Sequence, residues 1–180
     1  MVRAVASARP TLSPGGWPGR AADLGSGAGL PGLPLALCFT DCTWTLVESV
    51  RRRAEFLVRA VRLLGIADRV QVARERAEVV GRDPAFRGQL DLVVARSFGP
   101  PAAVAECAAP LLVIDGRVVV SEPPGGAPAR WPATGLHELG MTPEKAVSAQ
   151  GSAYQVVRQH APCPDRYPRR SGVPVKRPLF

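Results

Sequence analysis

Histidine occurs only twice in this 180-residue chain, and lysine only twice, at Lys145 and Lys176. The four cysteines, Cys38, Cys42, Cys107 and Cys163, form no Cys-x-x-Cys pair. With His137 and His160 as the only other soft ligands, the spacing of a zinc site is missing, and the thiols read as buried or inert groups of a reducing compartment. No apolar run approaches the roughly 20 residues that cross a bilayer. The first twenty residues hold no apolar core of a secretory signal. They also lack acids and carry Arg3, Arg9 and Arg20, which leaves a transit peptide as a second reading of a simple coil lead-in. The expected location is the cytoplasm, without membrane contact.

The net charge of +8 is unevenly placed. Residues 1–20 contribute +3 and residues 158–180 contribute +5, so the body between them is neutral. A neutral body with a basic tail suits contact with a polyanion such as RNA. Abundant Arg, Ala, Gly and Pro beside scarce Lys also match a GC-rich coding bias, which inflates basicity without a partner. Nearly half the residues are apolar, enough for one sizeable core.

Three parts are expected: a Pro/Gly-rich coil over 1–20, a folded domain over 21–160 and a basic Pro/Arg-rich tail over 161–180. Within the domain, strands are expected at Arg20–Leu24, Thr43–Val47, Val70–Ala73, Leu90–Ala95 and Arg117–Val120. Helices are expected at Leu33–Phe39, Val50–Leu64 and Ala102–Leu112, with a partial one over Arg74–Val80 and a short one at Leu136. The longest helix carries Val50, Ala54, Leu57, Val61 and Leu64 as one apolar stripe, closed by Gly65. Ala146–Ala149 and Tyr154–Gln159 can pair as a terminal antiparallel hairpin. The tail, with no periodicity, is expected to lie extended over the body or to be disordered. Alternating strands and helices give an α/β fold with a mostly parallel sheet and helices on both faces.

Residues 23–32, Asp-Leu-Gly-Ser-Gly-Ala-Gly-Leu-Pro-Gly, are the most informative stretch. Missing side chains at Gly25, Gly27 and Gly29 allow tight turns and close approach of the backbone to a ligand. Gly27, Gly29 and Gly32 also match the Gly-x-Gly-x-x-Gly pattern of dinucleotide sites. Asp23 argues otherwise: a carboxylate beside the loop repels a pyrophosphate but suits a ligand with an amine and a sulfonium, such as S-adenosylmethionine. Glu48, ending the second strand, can accept hydrogen bonds from both hydroxyls of a ribose, or can be a solvated acid at a helix start. Arg96, directly after a buried strand, belongs at the rim. Arg51, Arg52 and Arg53 open a helix as a candidate RNA contact or a plain solvated face.

Together with Leu46-Val47-Glu48-Ser49, Arg52 to Leu57, Arg76-Ala77-Glu78, Val94 to Phe98 and the tail from Arg166 to Leu179, the loop makes the chain resemble the RsmG family, also called glucose-inhibited division protein B. The resemblance spans residues 21 to 179. It implies a Rossmann-like class I methyltransferase fold and S-adenosylmethionine as cofactor. The implied reaction is methyl transfer to N7 of one guanine in the 530 loop of bacterial 16S rRNA, on the small ribosomal subunit, and a monomer is expected. Gly25, Gly27 and Gly29, with Ser26 and Leu30, would cradle the methionine part and Asp23 would face it. Glu48 would hold the ribose, Ala77 and Glu78 would border the adenine, and Arg96 would stand at the reaction face. Arg51, Arg52, Arg53, Arg169, Arg170, Lys176 and Arg177 would contact RNA. A methyltransferase for another RNA or a small molecule, and a non-catalytic RNA-binding protein, are the alternatives. Two features differ from the family: its helical N-terminal segment is shortened or absent, and Ser121-Glu122 replaces a Lys-Gly pair after the fifth strand. An acid there is expected to disfavour a phosphate.

Overall fold

The computed structural model describes residues 1, 19–124, 128–144, 146–149 and 151–180. Most of the expected lead-in therefore lies outside the described residues. Five parallel strands form the body of one sheet: β1 (Arg20–Leu24), β2 (Thr43–Val47), β3 (Val70–Ala73), β4 (Leu90–Ala95) and β5 (Leu112–Glu122). Three more, β6 (Met141–Pro143), β7 (Val147–Ala149) and β8 (Ser152–Gln159), extend it. β8 runs antiparallel to β5, β6 and β7. The order is β3-β2-β1-β4-β5-β8-β6, with β7 also on β8. The chain starts in the middle, builds outward to β3, then returns to the other side of β1. That reversal between β1 and β4 opens a crevice at the strands' carboxyl ends.

The strands are apolar on both faces because helices cover both. On one face α1 (Gly32–Cys38) and α2 (Arg51–Leu63) bury Leu33, Leu35, Leu57 and Val61 against Trp44, Leu46, Leu92 and Val94. Gly65, at φ 66°, ends the α2 segment in the left-handed conformation that the sequence pattern implied. The short helix α3 (Ala77–Val80) and α4 (Pro101–Ala108) cover the other face, with α5 (Ala133–His137) beyond them. α4 reads Pro-Ala-Ala-Val-Ala-Glu-Cys-Ala, and every residue from Ala102 to Ala108 is buried. A helix buried all round needs a second cover, and residues 161–180 supply it, including one helical turn, α6 (Val173–Lys176).

The tail is held by side chains of the body. Arg82 donates Nε and Nη2 to Pro168 O at 3.0 and 2.6 Å, and Arg87 donates Nη1 to Tyr167 O at 2.8 Å. Of the two expectations for this segment, lying over the body is the one observed.

Two elements differ from expectation. β5 begins at Leu112 rather than Arg117, because its pairing with β4 jumps from Leu90↔Leu112 to Leu92↔Arg117 around Asp115 (φ 66°) and Gly116. β6, three residues long and ending at Pro143, was not expected. The hairpin forms as expected between β7 and β8, with Val147 opposite Tyr154.

Candidate active site

The glycine loop leaves β1 at Leu24, and the amides of Gly25 and Ser26 both donate to Val47 O, at 2.9 and 3.0 Å, fixing it to the end of β2. Gly25, Gly27 and Gly29 take φ of 68°, 54° and 89°, which favours glycine at each. Space separates their roles. A Cβ on Gly29 would lie 2.3 Å from Leu33 Cδ1, so this glycine admits α1 rather than a ligand. A Cβ on Gly25 would meet the Phe98 ring at 2.8 Å. One on Gly27 would meet only Gly25 O at 3.8 Å, so this side of the loop is open.

Asp23 and Ser26 are buried and turn beneath the loop. Asp23 is 0% exposed, and its Oδ2 accepts the Gly32 amide at 3.0 Å from beneath. A Cβ on Gly32 would lie 2.7 Å from that oxygen and 2.5 Å from Leu46. Ser26 Oγ donates inward to Asp23 O at 2.9 Å. Burial pushes the Asp23 carboxyl up to about 7, the nearby Glu48 charge adding to it against the lowering by the Gly32 amide. Oδ1 is buried with no hydrogen-bond partner among the described residues. Leu30 is exposed at the loop's rim.

Glu48, buried at the end of β2, clamps the loop to α2. Its Oε2 accepts the Gly27 amide at 2.9 Å and its Oε1 the Val50 amide at 2.7 Å. Each oxygen keeps a second lone pair for a hydroxyl. A cavity of about 250 Å³ opens beside it, lined by Gly25, Glu48, Ala77, Glu78 and Phe98, with Val175 of the tail as part of its wall. Glu78 Oε1 accepts the Gly172 amide at 2.7 Å and Arg76 Nη2 at 3.2 Å. Burial alone would raise its carboxyl; the Gly172 amide and Arg76 hold it below the ordinary range.

A second group of residues gathers at the ends of β4 and β5. Arg96 is exposed, has no hydrogen bond or ion pair among the described residues, and borders a cavity of about 470 Å³ with Ser97, Ser121 and Tyr154. Ser97 is a residue that sequence reasoning missed. It takes φ 53°, uncommon for a side chain, and lines this cavity, the 250 Å³ cavity beside Glu48 and a third of about 290 Å³. Its serine identity gives no signal of that conformation.

The basic residues divide. Arg52, Arg53, Arg170, Lys176 and Arg177 are exposed, and Arg53 borders the cavity beside Glu48. Arg51 is exposed and pairs with Glu55 at 2.7 Å, a contact one helical turn apart that leaves it at the surface. Arg169 corrects the expectation of an RNA contact: its guanidinium is consumed by Glu106, a carboxylate buried on α4.

The sequence model described as GidB, rRNA small subunit methyltransferase G, matches residues 7–122. The chain belongs to this family. Proteins named ribosomal RNA small subunit methyltransferase G include one from Roseiflexus castenholzii, 41% identical over 97% of this chain and 76% of its own. Another, from Synechococcus sp. strain WH7803, is 35% identical over 95% of this chain and 70% of its own. Among solved structures, an O-methyltransferase from neocarzinostatin biosynthesis in complex with S-adenosylmethionine superposes with a TM-score of 0.65 at 17% identity, over 78% of this chain and 49% of its own. That likeness shows the class I methyltransferase fold. Family membership also sets aside the dinucleotide reading of Gly27, Gly29 and Gly32.

The residues fit S-adenosylmethionine, the family's methyl donor. The orphaned Asp23 Oδ1 lacks a donor such as an amine or a bridging water, Gly27 leaves a backbone cradle, and the free lone pairs of Glu48 suit a ribose. Among the described residues no cluster of His, Cys, Asp and Glu has the makings of a metal site, and no helix is long and apolar enough to cross a membrane.

Proposed function

We propose that this chain transfers a methyl group from S-adenosylmethionine to N7 of a guanine in small-subunit ribosomal RNA, the 530-loop guanine being the target that the resemblance implies. The single observation that carries the reading is Ser97. It stands where three cavities meet, one walled by acids that suit an adenosine and one bordered by the unpaired cation of Arg96.

The bound cofactor supplies a methyl group already activated on a sulfonium. Guanine N7 offers an sp² lone pair with no proton to remove, so the chain needs no general base. The task left to the protein is alignment. Glu48 and the glycine loop fix the donor, with Ala77 and Glu78 at its adenine. Arg96 draws the guanine or its phosphate to the opposite side of Ser97, and a base splayed from an RNA loop can enter there. The unit over 21–160 does this chemistry, and the tail over 161–180 closes its cofactor side. Arg52, Arg53, Arg170, Lys176 and Arg177 meet the RNA backbone. Both cavities come from one chain, which suits a monomer, working where small subunits are assembled, in the cytoplasm.

Incubating the protein with radiolabelled S-adenosylmethionine and small subunits that lack the mark tests the reading. Label recovered as 7-methylguanine in the rRNA is expected. Cofactor binding without transfer would overturn it in favour of another substrate.

A further inference from the structure

Ser121-Glu122 puts an acid at the end of β5, on the reaction face, where a nucleic acid would be repelled. Its surroundings reverse that expectation. Glu122 is only 4% exposed in its side chain, and both oxygens are occupied. Oε2 accepts Arg130 Nη1 at 2.7 Å and Oε1 accepts Trp131 Nε1 at 3.1 Å. Trp131 is buried, so the second bond anchors the carboxylate to the core. The Arg130 side chain remains 42% exposed. Only one of its five N–H donors has a partner among the described residues.

The pair is therefore asymmetric: a buried acid holds an accessible cation. Arg130 borders the 290 Å³ cavity with Ser97 and Phe98, and Glu122 and Ser121 line both that cavity and the one beside Arg96. Two guanidiniums thus flank one neutralised carboxylate, and the local charge is positive.

We infer that Arg130 binds a backbone phosphate of the RNA next to the target nucleotide, and that Glu122 is the positioning residue that aims it. Arg96 and Arg130 then grip the strand on two sides of Ser97. A planar guanidinium with free N–H groups matches phosphate oxygens. This inference rests on the proposed rRNA substrate.

The test uses the full chain with unmethylated small subunits. KM, kcat, cofactor affinity and the slope of log affinity against log salt are measured for wild type, Arg130→Ala, Arg130→Lys, Arg130→Gln and Glu122→Gln. Losing one phosphate contact should lower the salt slope by about 0.7 to 0.9. Arg130→Ala is expected to show that drop, raise KM about tenfold and keep S-adenosylmethionine affinity within twofold. Arg130→Lys should keep the wild-type slope. Glu122→Gln should raise KM, and add nothing in an Arg130→Ala background. Arg130→Gln, which can still reach Glu122 without a charge, gives the same reading if the alanine variant fails to fold. A wild-type salt slope in the Ala and Gln variants overturns the inference, whatever KM does. Absence of transfer by wild type overturns the proposed function instead, so the two failures are distinct.

Discussion

Arg169 meets Glu106 at three points: Nε to Oε1 at 2.9 Å, Nη2 to Oε2 at 2.6 Å, and its own amide to Oε1 at 2.8 Å. Glu106 is 0% exposed, sixty-three residues away along the chain, and Arg169 also donates Nη2 to Arg177 O at 2.7 Å. A cation that looks like part of a basic RNA-binding tail is thus a rivet between the tail and α4.

Removing one partner of a buried pair strands the other. Arg169→Ala should cost about 3 kcal/mol of stability, because the buried Glu106 loses its guanidinium and keeps only the residue-169 amide. Urea denaturation would read it as a lower midpoint. Arg169→Ala with Glu106→Gln should recover part of the loss. An unchanged midpoint for the single variant would show that the pair carries no stability.

The glycines of the loop should fail in different ways. Gly27→Ala places its Cβ in open space at φ 54°, so it should fold at a cost of about 1 to 3 kcal/mol yet lose at least tenfold in S-adenosylmethionine affinity. Gly29→Ala would push against Leu33 and lower the melting temperature instead. Calorimetry and thermal denaturation on both variants distinguish the roles. Equal loss of binding in two equally stable variants would contradict this division.

Deleting residues 161–180 should abolish cofactor binding as well as RNA binding. The tail gives Val175 to the wall of the cavity proposed to hold the cofactor and the Gly172 amide to Glu78. A truncated protein that still binds S-adenosylmethionine at wild-type affinity would mean the tail is only an electrostatic anchor.

Asp23 sets a pH dependence. Its carboxyl in the folded chain sits at about 7 because burial disfavours the charge, whereas in the unfolded chain it titrates at about 4. The folded state therefore holds a proton that the unfolded state releases across this window. Its contribution to stability is full below about pH 4 and is lost as pH rises through about 7. Asp23→Asn should flatten the fall in stability between about pH 4 and 7, measured by urea denaturation. Near pH 6, binding of the cationic cofactor should release a proton, seen as a heat that varies with buffer ionisation enthalpy. A wild-type slope in the Asn variant would show that another group sets the dependence.

Strands β1 to β4 were legible to the residue, β2 and β4 as short apolar runs and β1 as a weaker strand in which alanines stand for β-branched residues. The first half of β5 was hidden by Asp115-Gly116, which reads as a turn but is an irregularity within the strand. β6 is too short, and too close to Pro143, to announce itself. The glycine loop was visible, but which glycine admits a ligand and which admits Leu33 depends on packing between distant residues. Charge misled most. Arg169 has its acid on another element, and Glu122 has its cation eight residues on, so neither sign describes what the surface presents.

The clasp between tail and α4 also bears on when the protein becomes competent during synthesis. Residues 19–160 can leave the ribosome with the alanine face of α4 bare and the cavity beside Glu48 unwalled. Only once the segment through Val175 has emerged can Glu106 and Glu78 meet their partners. A chain stalled before that point leaves the buried face of α4 uncovered.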